Sequence, residues 1–182
     1  MAAADASPPA DLRGAWALKL SGAGFNWYRS ETTLQADDVL VRTRAGASLT
    51  AALARLAEIE RLFRHRHMPP PTRQLPFPDP GRVQELRRIE ALRAQVSALE
   101  TKVRGSPMPP ADRVSLRHHD HEAVLARLVE ADTDMVGAAD DLATCLRGLD
   151  DQTILADAGQ AACARWVGYV ESALMRRAAI MA

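Results

Sequence analysis

His118, His119, His121 and Glu122 stand close together and are of the types that hold a transition metal. On a helix, His118 with His121 or Glu122 would share one face, as helical metal ligands do. The set is incomplete, because the chain contains neither His-Glu-x-x-His nor any Glu-x-x-His, and Cys145 and Cys163 lie far along it. A solvated first helical turn is the expected state of this cluster, and no metal is assigned to it. Asp132, between Glu130 and Asp134, looks like a fragment of a calcium loop but lacks the glycine such a loop needs at its sharp turn. Gly22 and Gly24 are followed by no Gly-Lys-Ser/Thr, and the third glycine of a dinucleotide fingerprint is missing. With no nucleophile–base pair and no redox motif either, no cofactor and no catalytic residue is expected, and the chain reads as a non-enzyme.

The residues that carry these groups lie on strongly periodic segments. Val114, His118, His121, Leu125, Leu128, Asp132, Met135, Ala139, Leu142, Leu146 and Leu149 alternate steps of four and three. That is the seam of a packed helix, predicted over 112–148. A polar residue on such a seam fixes register or selects a partner, and Asp132 is assigned that role. A first helix is predicted over 30–67, where Ala45, Leu49, Ala52, Leu56, Ile59 and Phe63 keep the same steps. A second is predicted over 80–104, with Asp79 as N-cap and Pro80 at the first helical position. Its seam is Ile89, Leu92, Val96, Leu99 and Val103, with Val83 and Leu86 drifting off it. A fourth is predicted over 151–181, capped by Asp150 or Asp151 and apolar around much of its girth. So short a link makes the last two helices an antiparallel hairpin, with Cys145 and Cys163 at different heights and therefore unbonded.

Pro-rich stretches at 68–79 and 105–111 separate these helices. The run from Met68 to Gly81 reads as a stiff spacer, with a docking strip for an aromatic groove as the alternative. Fold class is thus all-α: an elongated four-helix bundle, or paired antiparallel helical hairpins, with coiled-coil character and Pro-rich connections. Residues 1–29 are expected to form an arm bearing an aromatic patch, and 30–182 the bundle.

Composition agrees with helices. Of 182 residues 47% are hydrophobic and only 4% aromatic, which favours aliphatic helix cores over sheets. Formal net charge is +0, but residues 42–117 hold fifteen basic groups against seven acidic, and residues 118–182 five against eleven. Packing of the basic helices against the acidic ones accounts for this split, with docking of a charged partner as the alternative. The basic excess is offset and no fingerprint accompanies it, which argues against nucleic acid. The first residues, MAAADASPPAD, lack the basic and apolar regions of a secretory signal, and no apolar run is long enough to span a membrane. An intracellular, cytoplasmic protein is expected.

These features point to a helical interaction protein: a structural or adaptor subunit that meets protein partners, copies of itself or others, through apolar helix faces. Trp16, Phe25, Trp27, Tyr28, Trp166, Tyr169 and Asp132 are the candidate partner-binding residues, since exposed aromatics are favoured anchors. An export or assembly chaperone holding a client is the first alternative. A metal-dependent helical enzyme centred on His118 and His121 is the second.

Overall fold

A computed structural model describes residues 30–70, 72–73, 77–106 and 121–181 of the chain. Within them lie four helices: α1 (Ser30–His67), α2 (Pro80–Arg104), α3 (His121–Arg147) and α4 (Asp157–Met181). The fold is all-α, as the periodicities predict. Each helix forms because its apolar residues recur on one stripe. Ala45, Leu49, Ala52, Leu56, Ile59 and Phe63 of α1 are all buried, as are Ile89, Val96, Leu99 and Val103 of α2. On α3 the seam is buried from Leu128 through Met135, Ala139, Leu142 and Leu146. Its earlier members Val114 and His118 lie outside the described residues. Leu86, expected to drift off the α2 seam, is buried, because a residue three before Ile89 still shares its helix face.

Chain entry and exit are set by local chemistry. The Asp79 carboxylate accepts the Gly81 N–H at 2.7 Å with Pro80 at the first turn, and the Gly105 N–H closes α2 on the Thr101 carbonyl at 2.9 Å. The Arg104 side chain of α2 lies over Gly46 of α1, where a Cβ would be 3.3 Å from its guanidinium carbon.

Each of the four helices packs on two neighbours, and they follow one another around the bundle as α1, α2, α4, α3. α1 with α2, and α3 with α4, are antiparallel hairpins. α1 runs parallel to α3, since Arg44 pairs with Asp140 and Arg66, further along, pairs with Asp151. The consecutive helices α2 and α3 are not neighbours. Salt links follow the split in charge along the sequence: arginines of α1 reach acids of α3 and its following loop, and Lys102 of α2 lies 3.8 Å from Glu171 of α4. Arg55 donates to the carbonyls of Leu146 (3.4 Å) and Leu149 (2.7 Å), placing a cation at the negative end of α3.

The α3–α4 connection is longer than the sequence suggests. α4 begins at Asp157, not beside Asp150 and Asp151. Asp150 instead caps a separate turn, accepting the N–H groups of Gln152 (3.0 Å) and Thr153 (2.7 Å), and these bonds hold its carboxyl below the ordinary range. Asp151 is buried, 2.6 Å from Arg66 and 3.4 Å from the His67 ring, and Ile154 folds onto the core. This turn takes up the residues that would otherwise have lengthened α4, and it moves Cys163 level with Cys145.

Candidate functional site

Asp38 continues the α1 stripe backwards from Ala45 and Val41, and Arg177 continues the α4 stripe forwards from Ala173. Asp132 interrupts the α3 stripe. All three fall at the same end of the bundle, where helix geometry turns them inward. Arg177 is 0% exposed there. Its Nη2 bonds Asp38 of α1, its Nε donates to Asp132 of α3 at 2.7 Å, and its Nη1 donates to the Ser106 hydroxyl, just past α2, at 3.1 Å. One guanidinium on α4 thereby ties together both other inward-facing acids and the end of α2, using the planar fork that lysine lacks. Arg42 completes the cluster: it lies 2.6 Å from Asp38 Oδ2 and donates to the Ser106 carbonyl at 3.0 Å. The Ser106 hydroxyl in turn donates to the Val103 carbonyl at 2.9 Å. Asp38 Oδ2 is off the hydrogen-bond line of Arg42, and Arg42 Nε has no bond, so the cluster is held by charge as well as by aligned bonds.

With Asp132 ionised, two acids against two arginines leave the cluster neutral, and burial shifts its members. Burial lowers the Arg177 guanidinium below its ordinary value. Burial also pushes the Asp132 carboxyl up to about 7, against the downward pull of the Arg42 charge. The folded protein then keeps a proton that an unfolded aspartate, at 3.8, has released. Stability attributable to this group is fully present below that unfolded value and is lost as pH rises through the folded one. Asp132→Asn is expected to flatten the fall in stability between about pH 4 and pH 7, read as urea midpoints of variant and wild type. Parallel profiles would show that Asp132 does not titrate there.

Chemically, the arrangement is a saturated clamp: its carboxylates and guanidiniums are aimed at each other. Among the described residues no three His, Cys, Asp or Glu side chains gather as a metal set. His118 and His119 lie outside the described residues, and so do Trp16, Phe25, Trp27 and Tyr28.

Trp166 and Tyr169 stand together on α4 as an edge-to-face pair, ring centroids 5.4 Å apart at 63°, with the Arg165 guanidinium 5.0 Å from the Trp166 ring. Trp166 is half-buried and Tyr169 is 42% exposed. Beside them runs a second stripe in heptad steps: Ala161, Ala164, Gly168, Ser172, Met175 and Ala179. All face outward except the half-buried Gly168, and Met175 is 69% exposed. None is charged, whereas the exposed residues of α2 include Arg87, Arg88, Arg93, Lys102 and Arg104. Phe77, in the Pro-rich connection, is 83% exposed.

Asp132 was visible in the sequence as a polar break in a seam, but Asp38 and Arg177 were not singled out. The signal was present: extending the α1 seam back by four and three from Ala45 reaches Asp38, and four beyond Ala173 is Arg177. Opposite charges standing on three seams at one end of the bundle are a signature of an internal clamp. Comparison with protein-family models, with curated proteins and with solved structures finds no match.

Proposed function

We propose that this chain is a non-enzymatic helical interaction protein, a structural or adaptor subunit whose α4 outer face packs against a helix of a protein partner. The uncharged stripe from Ala161 to Ala179, flanked by the Trp166–Tyr169 pair, is the observation that carries this reading. Small residues let a second helix approach closely, and a tyrosine beside them offers a large contact at low entropic cost. Trp166 and Tyr169 act as anchors, and Asp132 serves from within, keying α3 to α4 so that the outer face is presented in one register. The aromatic residues Trp16, Phe25, Trp27 and Tyr28 supply a second contact in this reading. No described helix is long and apolar enough to cross a membrane.

Gly168→Arg tests the reading cleanly, because nothing lies within 4 Å of a Cβ at that position and the fold has room for the change. The wild-type chain is expected to associate in stoichiometric ratio, with itself or a second protein, giving a mass above 19.8 kDa by light scattering. The variant should bind about tenfold or more weakly, a loss of at least ~1.4 kcal/mol, with a melting temperature no lower than that of the wild type. A monomeric chain without a stoichiometric partner, or association indifferent to Gly168→Arg, would refute it.

A further inference from the structure

Cys145 and Cys163 are both free thiols, one on α3 and the other on the α4 helix packed against it. Two salt links set the register of these helices: Arg177 to Asp132 at 2.7 Å and Arg176 to Asp134 at 2.8 Å. Cys145 lies thirteen residues beyond Asp132 on α3, and Cys163 fourteen before Arg177 on α4. At 1.5 Å per residue the two differ in height by only about 1.5 Å. Both also face the core, Cys163 within it and Cys145 packed against it at the rim. Burial, and then the neighbouring Cys145 thiol, push the Cys163 thiol up to about 12.

We propose that Cys145 and Cys163 form a dithiol that a small-molecule disulfide oxidises to a bond stapling α3 to α4. The two thiols differ in access, and this sets the order of events. Cys145 is half-buried and meets the oxidant first. Its thiolate attacks one sulfur of oxidised glutathione, expelling glutathione thiolate and leaving a mixed disulfide on Cys145. Cys163 then gives up its proton and attacks the Cys145 sulfur, breaking the bond to the second glutathione. The sum is one protein disulfide formed and one glutathione disulfide reduced to two thiols, which take up the dithiol's two protons and its pair of electrons. Cys163 is a poor nucleophile while its proton is held, so its step is the slow one. An excess of a small dithiol reverses the reaction.

The folded full-length chain is to be incubated with oxidised glutathione, quenched in acid, alkylated and mapped by mass spectrometry. A single crosslink between the peptides bearing Cys145 and Cys163 is expected, without retained glutathione. Closing a loop of this size should raise Tm by roughly 5–10 °C over the reduced protein. Cys163→Ala is expected to accumulate the glutathione adduct on Cys145. A stable adduct on wild-type Cys145 with Cys163 still free, a disulfide-linked dimer, or two thiols that stay unoxidised in the folded chain would each overturn the proposal. Failure of Cys163→Ala to take up glutathione would overturn Cys145 as the point of entry.

Discussion

Arg177→Ala is expected to lower unfolding free energy by about 3–5 kcal/mol, the cost of removing one partner from a buried ion pair. Arg177 is fully buried and Asp38 nearly so, and Asp132 is only 13% exposed, so water does little to replace the lost cation. Asp38 keeps Arg42, but Asp132 loses its 2.7 Å partner and the Ser106 hydroxyl loses its donor. Urea unfolding at fixed pH reads the change as a shift of midpoint at constant slope. Arg177→Lys should recover only part of it, since an ammonium cannot reach three acceptors in the plane that the guanidinium spans. Replacing the four charged members together, as Arg177→Met and Arg42→Met with Asp38→Leu and Asp132→Leu, is expected to be close to neutral or to stabilise, because the desolvation cost disappears with the charges. A cost below ~1 kcal/mol for Arg177→Ala would mean that the clamp contributes nothing that the apolar core does not.

The clamp matters most for register. The α4 core layers are Gly159, Cys163, Val167, Val170 and Ala173, a set too small and too alike to resist sliding. Sliding α4 by one turn moves Arg177 by about 5.4 Å and strands two acids inside the bundle. Apolar burial supplies the stability of this hairpin, and the charges choose which of several similar packings is occupied.

Gly159→Ala is the second large effect, and its sign is decided by comparing two terms. Alanine gains roughly 0.5–1 kcal/mol over glycine inside a helix. Against this, a Cβ on residue 159 would sit 2.1 Å from the Thr153 carbonyl oxygen and 3.2 Å from the Ile154 Cα. These are backbone atoms of the turn that Asp150 caps, and Ile154 is buried in the core, so they cannot rotate aside as a side chain would. The overpacking cost of about 1–3 kcal/mol is expected to win, and the variant should unfold at lower urea than wild type. Gly168→Ala is the matched control: with nothing within 4 Å, only the helix term operates, and the variant should be stabilised by about 0.5–1 kcal/mol. Equal and positive shifts at both positions would show that the 151–155 turn yields freely.

The helical class, the α1 and α2 seams and the capping of α2 by Asp79 were legible in the residues, because they rest on local periodicity and local hydrogen bonds. A seam at steps of four and three has one helical reading, and burial of Leu49, Leu56, Ile89 and Leu142 follows from it. Asp132 was recognisable as an exception for the same reason. Its partner was not, since Arg177 lies forty-five positions away and arginine is ordinarily a surface residue. Which face of the widely apolar α4 turns inward was equally illegible: either the Cys163–Val170 stripe or the Ala161–Ala179 stripe satisfies the helix period. Packing of α4 on α3 and α2 decided it, and left the second stripe outside. The same packing, together with the folded turn after Leu149, overturned the expectation that the cysteines lie at different heights, although both are free thiols as expected. Counting residues from a supposed two-residue link put them at different heights, whereas the register set by Arg177 on Asp132 puts them level. Local propensity therefore settles which segments are helices, and long-range charge pairing and turn geometry settle how those helices are aligned, because neither depends on residues close in the chain.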